Sequence, residues 1–371
     1  MSPSEKTIRV ATPRVENSNG VSRVTSDVDG VPLWFESADV ELMPSPEAFA
    51  SALLLTSVHR RRPIVSEAQL SDLWMENSGK IMQAWREWWR YTPVLPIAGK
   101  RPDSGGDNPR AALLFSAGVD SYHSLLGGSN PDILVSVHGF DIPLGDTFRM
   151  DGLRRALYAT AEAHNKRPVV IRTNLRDHPS VGKPHLWERS HGGALAGIGH
   201  LLSREIGRVI VSASWYTPDE QPWGSHSRTD ALFSANGLTV HHFGNDTRRE
   251  EKVAAVALDP TASKHLRVCY KNLLPDGNCS RCEKCIVTML HLMEHGVLRE
   301  FDSFDSHDFA ARVGALPFIH YWYNVSQRIL KRGRLEPDVA RSLAKVLARS
   351  RRAHTLLEIR SRIRQAVGQY V

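Results

Sequence analysis

The residues best suited to chemistry occupy positions 116–121, directly after the apolar run of residues 111–115. A short buried strand that ends in Ser-x-Gly-x-Asp-Ser and continues into a helix forms a site for pyrophosphate. Small side chains let the backbone turn tightly, and the first N–H groups of the helix then point at the anion. The Gly-Lys-Ser/Thr ending of a Walker A loop is missing, so an ordinary phosphate-cleaving NTPase is not indicated. The loop consists of Ser116, Ala117, Gly118, Val119, Asp120 and Ser121.

A simpler interpretation of this loop is a capped helix that follows a strand. Short Ser/Gly/Asp sequences often have that role, and Asp120 can combine capping with ligand binding. Ala117 raises a second question, because alanine adopts fewer backbone conformations than glycine. We expect either a negative φ at Ala117 or a slightly reshaped loop.

The four cysteines of this 371-residue chain all lie between positions 269 and 285, in the pattern Cys-x9-Cys-x2-Cys-x2-Cys. Four thiolates at this spacing can close a tetrahedral zinc site. Disulfides would require an exported protein, and no export signal is visible. An iron–sulfur cluster is the stronger alternative, because four thiolates also bind iron. We favour structural zinc, for which a closed four-cysteine site is common. The predicted ligands are Cys269, Cys279, Cys282 and Cys285.

Together, the loop and the cysteines resemble the PP-loop ATP pyrophosphatase superfamily, and in particular its cyano-deazaguanine synthase (QueC-like) branch. That branch has a Ser-Gly-Gly-x-Asp-Ser loop early in the chain and a Cys…Cys-x2-Cys-x2-Cys zinc site late. Here Ala117 replaces one glycine of the pattern. The segments 222–226 and 266–270 also look like a larger group of QueC-like proteins. The resemblance covers roughly residues 110–295.

The resemblance implies a reaction and a set of cofactors. Members of the superfamily split ATP between its α and β phosphates and adenylate a substrate. We therefore expect adenylation of a carboxylate or carbonyl-type substrate, followed by attack of ammonia or an amine that gives an amide or a nitrile. The enzyme would be an AMP-forming ligase or synthase that makes a C–N bond. The implied cofactors are ATP, Mg²⁺ and Zn²⁺.

The resemblance also implies roles for individual residues. Ser116, Gly118 and Ser121 match the family pattern for binding pyrophosphate through hydroxyls and backbone N–H groups. Asp120 matches its acid, which orients the loop or a Mg²⁺ ion. Lys252 occupies a place similar to a lysine that neutralises phosphate charge in the related synthases.

Three further polar residues are candidates for the same pocket. His138 and Asp141 follow the second predicted strand, near which PP-loop enzymes hold the nucleotide. His226 lies in the polar segment 223–230 and titrates near neutrality, so it is a candidate general acid or base. An ordinary surface loop would have a similar composition.

The pattern after residue 110 alternates between strands and helices. Such alternation indicates an α/β fold with a doubly wound parallel sheet, whose ligands bind beyond the carboxyl ends of the strands. The resemblance implies the adenine nucleotide alpha hydrolase-like (HUP-type) version of this fold. The predicted strands are 111–115, 133–138, 168–172 and 209–213, and the predicted helices are 153–164 and 192–206.

Three parts are predicted along the chain. Residues 1–105 form an N-terminal α+β extension, and the turn-rich stretch 101–109 marks its boundary. Residues 110–298 form the PP-loop ATP-binding domain with its zinc knuckle at 269–285. Residues 299–371 form a basic helical C-terminal region.

The net charge of +7 is concentrated near the C-terminus. Residues 326–371 contain twelve Lys and Arg against three Asp and Glu, so the rest of the chain carries −2. This tail can bind nucleic acid or another polyanion. It can equally be the solvated face of amphipathic helices, because Leu343, Val346 and Leu347 recur at helical spacing. We favour the solvated face, because the tail has almost no aromatic residues for base stacking.

The composition also bears on location and on other function classes. No stretch approaches the length of a membrane span, and the N-terminus lacks a signal-peptide core, so we expect a cytoplasmic protein without a membrane partner. The expected partners are the small-molecule substrate and the ammonia or amine donor, and a homodimer stays open. The alternatives are a PP-loop enzyme that modifies nucleic acid or transfers sulfur, and a nucleotide-binding subunit of a defence or biosynthetic complex.

Overall fold

The computed structural model describes residues 6–181, 186–274 and 277–367, with backbone alone for residues 352–354 and 357–367. The strands are β1 (Ile8–Val10), β2 (Arg14–Ser18), β3 (Val21–Val28), β4 (Val31–Ser37), β5 (Ile64–Ser66), β6 (Leu70–Ser71), β7 (Lys100–Arg101), β8 (Ala111–Leu114), β9 (Ile133–His138), β10 (Arg167–Thr173), β11 (Arg208–Ser212) and β12 (Thr239–Phe243). The helices are α1 (Pro46–Arg60), α2 (Asp72–Trp89), α3 (Val119–Leu126), α4 (Thr147–Ala163), α5 (Trp187–Leu201), α6 (Arg249–Val256), α7 (Pro260–His265), α8 (Glu283–Glu294), α9 (Phe309–Ala315), α10 (Tyr323–Arg332) and α11 (Pro337–Val367).

The five parallel strands at the centre of the main sheet lie in the order β12-β11-β8-β9-β10. The chain starts at β8, adds β9 and β10 on one side, and then adds β11 and β12 on the other. This is the strand order of a doubly wound fold, in which the direction of winding reverses beside the first strand. The prediction of an α/β fold with parallel central strands is confirmed, and the loop at 116–121 follows the strand beside which the winding reverses.

The N-terminal strands extend the same sheet. Beyond β10 the order continues β4-β3-β1-β5, with β2 paired to β3, and β10 pairs with β4 in antiparallel fashion. Two tight hairpins build this part, because Asn19-Gly20 and Asp29-Gly30 adopt the positive φ angles that two-residue turns require. Buried Glu36 of β4 bonds Arg172 of β10 at 2.6 Å and also bonds Arg23 of β3. Residues 1–105 thus supply strands to the central sheet.

Helices α1 and α5 pack closely because α5 contains glycines where the two backbones meet. A Cβ at Gly193 would lie 2.2 Å from the carbonyl oxygen of Ser51, and one at Gly192 would lie 2.0 Å from that of Gly224. Both positions therefore require glycine, because the neighbouring backbone leaves no room for a Cβ atom. The core around them is apolar and includes Phe49 and Phe233, both fully buried.

The chain divides into two compact units. Unit 1 consists of Met1–Ser116 and Ser124–Thr247, and unit 2 consists of Ala117–His123 and Arg248–Val371. Unit 1 contains the main sheet, whereas unit 2 contains most of the loop, the cysteines and helices α6 to α11. The boundaries of these two units differ from those of the predicted ranges 1–105, 110–298 and 299–371.

The C-terminal helix α11 contributes to the core of unit 2. Leu343, Val346 and Leu347 are buried as the amphipathic interpretation predicts, whereas Leu356 is exposed. Ser350 accepts the backbone N–H of Ile319 at 2.8 Å. The basic side chains at positions 352, 360, 362 and 364 lie outside the described residues. Within the described residues, no helix has the length and apolar character needed to cross a membrane.

Candidate nucleotide loop and cysteine cluster

The loop at 116–121, which we call the nucleotide loop, connects β8 to α3. In unit 1, the N–H of Phe115 bonds the carbonyl of Val135 at 2.7 Å, and Ser136 donates its hydroxyl to the carbonyl of Phe115. These bonds fix the end of the strand. Ser116 is exposed, and Val119 is buried in the core.

Ala117 has a φ of +55°, in the left-handed region. Of the two expectations for this residue, the negative φ is therefore wrong. An L-residue other than glycine, asparagine or aspartate rarely adopts this region, and the conformation costs about 1–2 kcal/mol. The carbonyl of Ala117 accepts the backbone N–H of Arg267 at 2.8 Å, and its methyl group is fully buried. The surrounding structure thus holds a strained turn at the start of α3.

Asp120 is bound by two cations from helix α6. Arg249 Nη1 lies 3.1 and 3.2 Å from the two carboxylate oxygens, and Lys252 Nζ lies 3.5 Å from Oδ1. Burial alone would raise the pKa of Asp120, but the charges of Arg249, Lys252 and Lys284 outweigh it and lower the pKa below its usual value. Asp120 is therefore an anion held between cations.

Both cations are positioned by the start of α6. Glu251 accepts the backbone N–H of Arg248 at 2.8 Å and so caps the helix. Arg249 and Lys252 are three residues apart and therefore share one face of α6. The side chain of Lys252 is only 3% exposed, and the guanidinium of Arg249 lies 5.3 Å from the centre of the Trp322 ring. A lysine buried this deeply is uncommon unless its charge has a partner.

The other loop residues complete the turn. Ser121 is buried and donates its hydroxyl to the carbonyl of Gly118 at 3.0 Å, and the N–H of Tyr122 bonds the same carbonyl. In this state the Ser121 hydroxyl proton is directed into the loop itself. A ligand bound here would meet the Ser121 oxygen as an acceptor unless that hydroxyl rotates.

His138 and Asp141 lie in unit 1 and each has a partner of its own. His138 is buried and donates its Nε2–H to the carbonyl of Pro143 at 3.0 Å, and burial lowers its pKa. Asp141 is exposed and accepts the indole N–H of Trp187 at 3.3 Å. His138 is therefore a neutral structural donor at neutral pH.

His226 belongs to a buried group that we call the histidine cluster, formed by Glu220, His226, Asp230 and His242 of unit 1. His226 Nδ1 accepts the backbone N–H of Arg228 at 3.0 Å, and its ring packs 4.4 Å from that of Trp88. Burial lowers the pKa of His226, although Glu220 opposes that effect. With Nδ1 engaged, only Nε2 could transfer a proton.

Asp230, the last residue of the polar segment 223–230, is the centre of the histidine cluster, although it was not predicted as a site residue. Its carboxylate accepts bonds from Ser225 Oγ at 2.6 Å, His226 N at 3.0 Å and His242 Nδ1 at 2.8 Å. His242 Nε2 lies 3.8 Å from Glu220 and has no hydrogen-bond partner among the described residues. Besides that segment, the adjacent His241-His242 pair in β12 is a sequence signal that points to this cluster.

The four cysteines come together as the spacing predicts. The Sγ atoms of Cys269, Cys279, Cys282 and Cys285 all lie within 4.8 Å of one another, and all four residues are buried. The distance between the sulfurs of Cys279 and Cys285 is 3.9 Å, which is close to the edge of about 3.8 Å expected for a tetrahedron with zinc–sulfur bonds of about 2.3 Å. This group, the cysteine cluster, can hold a metal ion such as zinc.

Hydrogen bonds around the cysteine cluster hold its backbone in place. Asn278 Oδ1 accepts the N–H groups of Val268 and Cys269, and its Nδ2 donates to the carbonyls of Leu266 and Ser303. The N–H of Cys282 points at the sulfur of Cys279 at 3.3 Å. Hydrogen bonds to the residues that carry metal ligands hold those ligands in a fixed orientation. In the described residues, no other group of three or more His, Cys, Asp or Glu side chains is close enough together to hold a metal ion.

Comparison with known proteins gives little further information. No family model matches the chain, and no curated protein matches it. A solved structure that matches is that of a Type III CRISPR defence DNA nuclease activated by cyclic oligoadenylate, with 11% identity and a TM-score of 0.21. The match covers 85% of this chain and 57% of that chain. The chain thus spans a little over half the length of that protein. So low a TM-score does not support a shared fold or function.

Proposed function

We propose that the nucleotide loop binds the pyrophosphate part of ATP, and that the protein transfers AMP to a carboxylate or carbonyl-type substrate. The observation that carries the proposal is the pairing of Asp120 with two cations, Arg249 and the buried Lys252. One carboxylate between two cations leaves positive charge at the start of a helix, where an anion is also favoured by the helix dipole. The HUP-type fold and the QueC-like branch belong to the same proposal.

The strand that precedes the loop in the chain supports this function. In doubly wound sheets ligands bind beyond the carboxyl ends of the strands, where the winding reverses. The nucleotide loop follows β8, the strand that has β9 on one side and β11 on the other.

The proposed chemistry requires stabilisation of the departing pyrophosphate. A carboxylate oxygen leaves poorly, and its transfer to the α-phosphate of ATP makes it part of AMP. Ammonia or an amine then attacks the acyl carbon, and AMP leaves as an amide forms. Arg249 and Lys252 offset the charge that develops on pyrophosphate. Asp120 keeps both cations in position, so we assign it the role of orienting the loop rather than of ligating Mg²⁺.

The cysteine cluster has an architectural role in this proposal. The donor set of four buried thiolates fits zinc, and a closed four-cysteine site leaves no open position for substrate. All four cysteines of the chain are in the cluster, so none is spare to carry a persulfide. This favours a nitrogen donor over sulfur transfer.

The proposal is tested by ATP binding and by pyrophosphate release. ATP with Mg²⁺ is titrated calorimetrically, and pyrophosphate is then measured across a panel of carboxylates with ammonium present. Lys252→Met keeps the aliphatic stem and removes the charge, so we expect ATP affinity to fall at least about tenfold. Lys264→Met, at an exposed lysine of α7 in the same unit, is the matched control and should bind ATP normally.

Two outcomes decide between the proposed function and its alternatives. Wild-type protein that does not bind ATP, or a Lys252→Met variant that binds it with unchanged affinity while folded, contradicts the nucleotide site. Binding without pyrophosphate release from any substrate would instead favour the nucleotide-binding subunit of a complex.

A further inference from the structure

Exposed aromatic side chains flank the cysteine cluster in unit 2. Tyr321 is 74% exposed and Tyr270 is 50% exposed, and both rings are large apolar surfaces that face solvent. The ring of His320 meets that of Tyr321 edge-on at 4.3 Å, and Lys271 Nζ lies 5.3 Å from the centre of the Tyr270 ring. We call these four residues the aromatic face.

The backbone that carries each tyrosine is anchored beside the same four sulfurs. Tyr270 directly follows Cys269, whose N–H is bound by Asn278. The N–H groups of His320 and Trp322, on either side of Tyr321, both donate to Glu283 Oε1 at 2.8 Å. Glu283 directly follows Cys282 and is itself buried. The two exposed rings therefore project from rigid backbone at one site, so little conformational entropy is lost when a ligand stacks on them.

Two exposed cations next to the cysteine cluster indicate which ligand would stack there. Unit 2 contains 22 Lys and Arg against 14 Asp and Glu, a net charge of +8, but residues 326–371 supply +9 of it, so the cations that bear on the aromatic face are the local ones. Exposed Lys271 and Arg281 lie within two residues of metal-ligand positions in the chain.

We propose that the aromatic face binds single-stranded nucleic acid. Unstacked bases would lie on the rings of Tyr270 and Tyr321, and Lys271 and Arg281 would contact phosphates. Stacking platforms interleaved with basic residues are the usual means of binding single strands with little sequence preference. The basic tail considered from the sequence lacks such platforms, and the structure supplies them elsewhere in the same unit.

The test is the fluorescence anisotropy of a labelled oligothymidylate of about 12 nucleotides with full-length, metal-loaded protein. Single-stranded binding should weaken steeply between about 50 and 200 mM salt. We expect Tyr321→Ala to weaken it about tenfold and Tyr321→Phe to retain it, because phenylalanine still stacks. Lys271→Ala should reduce the slope of log K against log salt by about one unit.

Controls separate this surface from general folding and from the nucleotide loop. Phe148→Ala removes another exposed aromatic ring, from α4 of unit 1, and should leave binding unchanged. Metal content and circular dichroism confirm that each variant is folded. Lys252→Met should weaken ATP binding and leave oligonucleotide binding intact, so the two proposals can fail independently.

Three results would overturn the proposal. The first is wild-type protein that binds no oligonucleotide at low salt, which would favour a protein partner for the exposed rings. The second is unchanged binding by a folded Tyr321→Ala variant, which would assign the binding to the basic tail. The third is equal affinity for duplex and single strand, which would indicate attraction to a polyanion without base stacking.

Discussion

The histidine cluster of unit 1 and the Asp120 group of unit 2 surround a carboxylate in different ways. In the histidine cluster of unit 1, the carboxylate of Asp230 accepts three hydrogen bonds from groups within the same unit. In unit 2, Asp120 lies against two full cations. The first arrangement surrounds the carboxylate with hydrogen-bond donors, whereas the second holds more positive than negative charge. Burial alone therefore does not distinguish the two groups, whereas the sign of the excess charge around each carboxylate does.

The largest expected effect concerns the cysteine cluster, on which only unit 2 should depend. Cys285→Ser removes a fully buried ligand, and loss of a structural metal site removes folding free energy on the order of 10 kcal/mol. We expect loss of bound metal and unfolding of residues 248–367 while unit 1 stays protected. Hydrogen exchange read by mass spectrometry, with metal analysis, measures both.

A chelator should reproduce the effect on wild-type protein, and an absorbance spectrum would separate zinc, which is colourless, from an iron–sulfur cluster. Full protection of unit 2 in the metal-free protein would show that the cluster is not structural.

The next effect tests the hydrogen-bond network around Asp230 in unit 1. Asp230→Asn replaces an acceptor of three hydrogen bonds by a group that cannot accept all of them, so the unfolding free energy should fall by about 3 kcal/mol. Urea denaturation measures this loss. Asp219→Asn, at an exposed aspartate of the same segment, should change stability by less than about 0.5 kcal/mol. Equal effects of the two substitutions would mean that the network contributes nothing.

A matching substitution sharpens the contrast with unit 2. Asp120→Asn leaves Arg249 and Lys252 without their anion, so stability should fall by about 2 kcal/mol. Added pyrophosphate should restore the melting temperature of this variant, since it supplies the missing negative charge. The same salt should not rescue Asp230→Asn. Failure of pyrophosphate to rescue Asp120→Asn would remove the reason to regard the loop as an anion site.

The two units should also differ in their response to acid. Burial lowers the pKa of the unit 1 residues His138, His178, His191, His200, His226 and His241. The unfolded state therefore binds more protons, and unit 1 should lose stability as the pH falls below about 6.5.

In unit 2 burial lowers the pKa of one histidine, His291, and the other shifts that bear on acid stability are those of carboxylates. Despite burial, neighbouring cations lower the pKa of Asp120, and hydrogen bonds and cations lower that of Glu250, while the pKa of Glu294 falls to about 2. Their stabilising effect persists until the pH falls below about 4.5. Hydrogen exchange at pH 7, 6 and 5, corrected for intrinsic rates, should show protection lost first in unit 1. Simultaneous loss in both units would contradict this assignment.

The smallest effect is expected at Ala117. Glycine would relieve the left-handed backbone but would lose a buried methyl group and add freedom to the unfolded chain, so these terms nearly cancel. We expect Ala117→Gly to change stability by less than about 1 kcal/mol and to retain ATP binding. Ala117→Val, which adds a branched side chain at the same φ, should be clearly destabilising. Thermal melts of the two variants measure the difference.

The sequence predicted the parts of the fold that depend on local pattern. Continuous apolar runs predict β8 to β11 within a few residues, because buried parallel strands are apolar on both faces. Strand β12 was missed, because its Thr-Val-His-His-Phe sequence is largely polar. The joining of residues 1–105 to the main sheet was missed as well. It depends on the pairing of β10 with β4, two strands far apart in the chain.

The candidate site also has features that a local sequence pattern predicts and features that depend on distant contacts. The cysteine cluster was predictable because four ligands of one type lie within a short stretch of chain. The pairing of Asp120 with Arg249 spans 129 positions, and no local pattern reports such a contact. The histidine cluster was missed for a related reason. Asp230 becomes distinctive only once β12 brings His242 beside it.

The hydrogen bond between the N–H of Arg267 and the carbonyl of Ala117 has a consequence for redox conditions. Arg267 lies two positions before Cys269, so the turn of the nucleotide loop is tied through main chain to a sulfur. Oxidants that attack the thiolates and release the metal would loosen this tie and with it the conformation at Ala117. Affinity for nucleotide should therefore follow the oxidation state of the cysteines, even though no sulfur need touch the nucleotide.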